Sequence, residues 1–234
     1  EIMRHTLETA LYPQPELSLA AAISLLAVVT GRKVTDAFGA RTNCYILGLD
    51  LTGAGKDHPR LKNKEYMLHI GAQPMIGPER IGSHAGIIAH LDNQPALLCQ
   101  IDEMGKFLAT CKDPKKSPHL YNVTTVMMQL YSSSKSLWVS DAYADTKRTK
   151  TIDQPHLVVY GTATPDSFWS NLSSENISDG LIGRLMAFEG RGYEVEMQEP
   201  AALPIPESIL EPLRWWMEFK PGGGHLGGQH PVPR

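Results

Sequence analysis

Three continuous apolar runs stand out along the chain, and each ends in residues of a different chemical kind. Cys44–Leu49 runs into the glycine-rich segment Asp50–Asp57, Pro95–Ile101 into Asp102 and Glu103, and Pro155–Ala163 into small hydroxyl residues, Thr162 and Thr164. Apolar runs of this length, without polar alternation, predict strands buried on both faces of a parallel sheet. Tyr121–Tyr131 has apolar residues near helical spacing and predicts a helix packed on that sheet, with Met127 and Met128 as packing groups. Leu17–Val29 is apolar over about thirteen residues, short of the roughly twenty that span a bilayer. It predicts a buried core helix, begun after Pro13 and Pro15 and stopped at Gly31. Residues 1–40 are expected to be a helical extension leaning on the sheet. Residues 41–195 should form the core, and a terminal helix over Ile205–Phe219, carrying Trp215 and Trp216, should lie within 196–220. Ser136–Val139 and Thr149–Ile152 predict two arms of a hairpin or extended loop.

The first strand and its loop carry the most specific chemistry. An apolar strand, a glycine-rich loop ending in Gly55-Lys56 and a following helix wrap backbone N–H groups around nucleotide phosphates. Lys56 then reaches the terminal phosphates, and the positive end of the helix favours their charge. Thr52, Gly53, Ala54, Gly55 and Lys56 keep the expected pattern. Asp50 stands where that pattern has glycine, and Asp57 where it has a hydroxyl. A carboxylate at 57 is a good magnesium ligand, although it adds negative charge beside the phosphates. The competing reading is a strand-to-helix turn that merely contains Gly and Lys.

Asp102 and Glu103 end the second run where open α/β sheets bind their ligands. In a phosphate-loop ATPase the first acid holds magnesium and the second polarises the attacking water. Thr162 or Thr164, at the tip of the third run, can contact the γ-phosphate or that water. Ser178–Leu185 predicts a capped helix start carrying Arg184, which can stabilise charge on the transferred phosphate within its own subunit or across an interface. Threonine is also an ordinary strand residue, and an arginine on a helix is often only a surface group. Arg60, one turn into the helix after Lys56, either faces phosphate or covers the helix; His58 caps or lines the pocket.

Asp50–Arg60, Gln100–Glu103, Asp153–Pro165 and Ser178–Leu185 together resemble a poorly characterised P-loop ATPase family of bacteriophages and mobile elements. Its members often lie beside or are fused to primase modules and are described as helicase-like. The resemblance spans roughly residues 15 to 195. Gly-Lys followed by an acid is a recurring variant in that family, so Asp57 fits it, whereas Asp50 departs from it. What the resemblance implies is ATP and magnesium as ligands, DNA replication as the setting, single-stranded DNA and a primase module as partners, and a homo-oligomer. It implies a bacterial cytoplasm as the location. The fold expected is a three-layer α/β sandwich with a largely parallel RecA- or AAA+-like sheet.

Composition changes this picture little. The 234 residues are 42% hydrophobic and 20% charged, enough for one substantial core. A net charge of −3 gives no global basic field, so any DNA contact must come from a local patch. Lys147, Arg148 and Lys150, between the hairpin arms, are the expected patch, or else a solvated basic loop. Cys44, Cys99 and Cys111 lack metal-ligand spacing, and an odd count without a secretory signal fits a reducing compartment. His84 and His90 lack acidic companions at ligand spacing, so no metal site is expected from the histidines. The chain starts at Glu1 and ends in a Pro/Gly/His-rich tail, 221–234, expected to be flexible, so we expect a fragment of a longer polypeptide. Two functional classes follow: an ATPase motor or loader acting on DNA, and a nucleotide-binding switch or scaffold that hydrolyses little and recruits replication partners.

Overall fold

The computed structural model describes residues 1–111, 118–142, 144–172 and 180–221. The order of elements along the chain is α1 (Ile2–Glu8), α2 (Pro15–Val29), β1 (Tyr45–Leu49), α3 (Asp57–His69), α4 (His84–Asn93), β2 (Ala96–Ile101) and α5 (Met104–Thr110). It continues through α6 (Pro118–Ser132), β3 (Leu137–Val139), β4 (Thr151–Asp153), β5 (His156–Ala163), α7 (Pro165–Asn171), β6 (Leu185–Glu189) and α8 (Glu207–Glu218). Among the described residues, β2, β5, β1 and β6 pair in that order as a four-stranded parallel sheet. The third apolar run is therefore inserted between the first two.

Side chains alternate across this sheet as the strand period requires. Tyr45, Leu47 and Leu49 of β1 join Leu97, Cys99 and Ile101 of β2 and Leu157 and Val159 of β5 on one face, under α4, α5 and α6. Ile46, Leu98, Val158 and Tyr160 face the other way, against α2, α3 and α8. Parallel strands covered on both faces bury their whole length, which is why these runs lack polar alternation. The fold is a mixed α/β arrangement of a parallel sheet flanked by helices.

α2 begins with Pro15 at its first turn, where a missing N–H costs nothing, and Thr30 caps its end. Leu17, Leu25 and Val28 are fully buried against the sheet, so this helix is one of the covering layers. A Cβ on Gly48 of β1 would lie 3.0 Å from Leu17 Cδ2, which shows how closely helix and strand approach. α8 packs on α2, and the buried Lys33 ammonium donates to the Trp216 carbonyl at the end of α8. Burial pushes that ammonium down to about 8. No helix among the described residues is long and apolar enough to cross a membrane.

Two expectations need correction or limitation. Gly180–Leu185 is not a helix start: Ile182–Arg184 form a short 3-10 turn that feeds β6, whose backbone pairs with β1 from Leu185 onward. Ser178 and Asp179, like the tail beyond residue 221, lie outside the described residues. The hairpin is present, with Trp138 opposite Ile152, both buried.

Candidate functional site

The strand register gathers four chain segments at one end of the sheet. Leu49 aligns with Ala163 and Glu189, and Ile101 with Gly161, so Asp50, Asp102, Thr162 and Gly190 emerge together. This is the carboxyl end of every strand, where open parallel sheets leave a crevice.

From β1 the chain turns through Asp50–Lys56 into α3. Gly53 and Gly55 have φ of +76° and +94°, a region that side chains other than glycine rarely adopt. A Cβ on Gly55 would also lie 2.9 Å from the Tyr12 carbonyl oxygen. Lys56 Nζ folds back and donates to the Leu51 carbonyl at 2.6 Å. Gln14 clasps the turn from beneath: its Nε2 donates to the carbonyls of Ala54 at 3.0 Å and Gly192 at 2.9 Å, and its Oε1 accepts from the Arg191 amide. The Tyr193 hydroxyl donates to the Thr52 carbonyl, and Arg191 pairs with Glu16.

Asp50 is buried under this turn. Its Oδ1 accepts from the Leu51 amide at 2.7 Å, whereas Oδ2 has no partner among the described residues. A Cβ on Gly190 would fall 2.2 Å from Oδ2, so glycine at 190 makes room for the carboxyl. Burial raises the Asp50 carboxyl above the usual range, opposed by the Leu51 and Gly192 amides and by Lys56. The departure from glycine at 50 is thus accommodated by the glycine that follows the neighbouring strand β6.

Arg60 settles on neither of the two alternatives open in the sequence. Its buried guanidinium pairs with Asp57 on its own helix and reaches Asp102 Oδ1 at 3.3 Å. Asp102 Oδ1 also accepts from Thr162 Oγ1 at 3.2 Å and from the Glu103 amide at 2.9 Å. Behind Arg60, Gln100 Nε2 donates to its carbonyl, and Asn63 donates to Gln100 Oε1. The spacing of Asp57 and Arg60 on one helix hinted at a pair; the contact with Asp102 had no signal in the sequence. Nor had the clasp by Gln14, whose partners lie 40 and 178 residues away.

The structure therefore brings together Lys56, Asp57, Arg60, Asp102 and Thr162 around the turn and the ends of β2 and β5. Glu103 follows with a left-handed backbone, φ +53°, and its carboxylate pairs with Lys106 at 3.4 Å. It lines a cleft of about 560 Å³ with Arg80, Ile81 and Phe107, on the outer side of β2. A separate cleft of about 380 Å³ beside the turn is lined by Leu11, Tyr12, Gly55, Lys56, Asp57 and His58. His58 is tied to α1 through Thr9 Oγ1 and the Thr6 carbonyl, and burial lowers its basicity. Thr164 is spent as the N-cap of α7, accepting from the Ser167 amide.

Four predicted residues lie elsewhere. Arg184 precedes β6 at the amino end of the sheet, about 16 Å of strand from the turn at roughly 3.3 Å per residue. It does not reach phosphates held at the turn of its own subunit. Lys147 and Arg148 occupy a 3-10 turn between β3 and β4, and Lys150 pairs with Asp92 at 2.8 Å.

Asp57 and Asp102 provide carboxylate oxygens of the kind magnesium prefers, and both are exposed on either side of Arg60. Among the described residues no group of three His, Cys, Asp or Glu side chains is placed to hold a metal ion alone. Two carboxylates complete a magnesium shell only with substrate phosphates and water, the usual arrangement in nucleotide sites. The residues fit such a shared ion, not a resident one. No protein-family model and no curated protein sequence matches the chain.

Proposed function

We propose that this protein binds ATP and hydrolyses it, as a phosphate-loop ATPase with a RecA- or AAA+-like core. The observation that carries this reading is the convergence of Lys56 and a two-glycine turn with Asp102 and Thr162 at the carboxyl end of one parallel sheet, the third strand inserted between the other two. Lys56 and the turn amides would bind phosphates, and Asp102 with Asp57 would hold magnesium. The ion would neutralise phosphate charge and orient the leaving group. Arg60 would be the group that Asp57 and Asp102 release when the ion enters. Glu103 would hold the attacking water once freed from Lys106, and Thr162 would position Asp102. The helicase-like role, with DNA, a primase module, a homo-oligomer and a bacterial cytoplasm, rests on the resemblance of the motifs.

A switch or scaffold with little turnover is the second reading. It is favoured by the closed state of the turn: Lys56 on its own loop carbonyl, Arg60 across both acids, and Asp50 beneath. Magnesium-dependent ATP turnover, with and without single-stranded DNA, separates the two when compared with Glu103→Gln. An ATPase retains nucleotide and loses turnover in that variant. A switch shows the same slow turnover in both proteins. ATP binding that survives Lys56→Ala would sink the phosphate-loop reading itself.

A further inference from the structure

At the amino end of the sheet, opposite the turn, lies an open cleft of about 480 Å³. It is built where the chain enters β1, leaves α6 and enters β6. Its cations are Arg41, Lys135 and Arg184, and no acidic side chain lines it among the described residues. In a chain of net charge −3, this is a local concentration of positive charge.

The cleft is shaped by contacts that hold Arg184 on neutral groups. Arg184 donates to the Gly180 carbonyl at 2.8 Å and lies 5.6 Å from the centre of the Tyr131 ring. Tyr131 is itself fixed edge-on against Tyr45, and its carbonyl accepts from Asn43. Arg41 donates to Gln154 Oε1 at 2.7 Å, with Asp153 the acid acting on it. Lys135 is exposed, and its Cδ would sit 3.4 Å from a Cβ on Gly39.

One wall is a tight turn with an unusual tip. Asp36 Oδ1 accepts from the amides of Phe38 and Ala40, so the nearest acid on this wall is occupied in folding the turn. The turn presents Phe38 at 88% exposure, the most exposed of the large apolar side chains among the described residues. A phenyl ring in water beside three cations lacks a packing role. Aromatic faces and cations side by side are the combination that takes the bases and phosphates of an unpaired strand.

We propose that this cleft binds single-stranded nucleic acid, with Phe38 stacking on a base and Lys135 and Arg184 on neighbouring phosphates. The proposal takes the class of partner from the proposed function and moves its site away from the β3–β4 hairpin, where Lys150 is already paired with Asp92.

The test is fluorescence anisotropy of a labelled oligothymidylate, without nucleotide, at several salt concentrations. Expected is saturable binding that weakens about tenfold in Phe38→Ala and in Lys135→Ala, as loss of one stacked base or one phosphate contact should. Lys135→Ala should also lower the salt slope by about one. Phe38→Trp, which keeps the aromatic face, should restore binding, and Lys147→Ala with Arg148→Ala should change it less than twofold. Absence of binding by the wild-type chain overturns the proposal, as does wild-type affinity in both cleft variants. Competition by pyrophosphate as effective as by the oligonucleotide also overturns it, in favour of a simple phosphate site. Lys56→Ala, measured alongside, keeps the question apart from ATP: it should bind the oligonucleotide normally whether or not the turn binds nucleotide.

Discussion

The two ends of one parallel sheet are built on opposite plans. At the carboxyl end, acids and cations are tied up by contacts of their own: Lys56 on a carbonyl, Arg60 on Asp57 and Asp102, Thr162 on Asp102, Gln14 across three backbone groups. At the amino end, Arg184 rests on a carbonyl and a tyrosine ring, and an aromatic ring stands in water. The first end has to be opened before a ligand enters. The second already offers its charge. The acids of these pairs are more than half exposed, 70% and 56%, and pairs with so much water around them contribute little stability, so on the proposed reading a phosphate with its counter-ion would compete for each member.

The sharpest way to break this comparison is Lys56→Ala. Loss of the ammonium should weaken ATP binding or turnover by about a hundredfold or more, while oligonucleotide binding at the other end stays unchanged. Isothermal titration with Mg-ATP and anisotropy on the same preparation check both halves. Next in size is Gly190→Ala. The added methyl meets the buried Asp50 carboxyl at 2.2 Å, and overpacking of that kind costs about 1–3 kcal/mol. Urea unfolding should show the loss, and Asp50→Gly in the same chain should restore most of it, because it removes the obstacle and returns glycine to the loop.

A pH titration addresses the amino end. His156 is fully buried at the start of β5, with Nε2 on the Ala27 carbonyl at 2.9 Å. Burial pushes it down to about 4, against about 6.5 in an unfolded chain. The folded state thus binds fewer protons than the unfolded one across that window. Stability should be full above about pH 6.5 and fall as the pH drops towards 4. His156→Gln should flatten this part of the urea-midpoint curve; an unaltered slope would assign the acid sensitivity elsewhere. Smallest is Tyr193→Phe, which removes one exposed hydrogen bond to the Thr52 carbonyl. Its cost should be within about 1 kcal/mol, with ATP affinity the more sensitive readout.

Much of the sheet was legible because its central strands are buried on both faces, which forces continuous apolar runs. β6 was not, because it is an edge strand: Met186, Ala187 and Glu189 are exposed, and its backbone pairing with β1 decides its fate. Ser178–Leu185 predicts a helix start for local reasons, and from Leu185 onward a long-range ladder overrides them. At the site, the turn, Lys56 and the position of the two acids could be read from motif spacing. Thr162 could not be preferred to Thr164 until the strand register put one on Asp102 and left the other capping a helix. The roles of Arg60, Gln14 and Gly190 depend on contacts between distant segments, which leave no periodic trace along the chain.

Gln14 also bears on how the molecule comes into being. Its side chain joins the segment ahead of α2 to Ala54, and to Gly192 and Arg191, which lie 178 and 177 residues further on. A ribosome delivers the glycine turn and the acidic strand well before it delivers residues 190–193, at a pace of about 5–20 residues per second. Until then the turn lacks the carbonyl and amide that Gln14 needs, β1 lacks its β6 neighbour, and Asp50 lacks the glycine that receives it. A growing chain consequently carries the parts of this site for several seconds without its clasp, and β6, the last made of the four strands described in this sheet, is the one that fastens it.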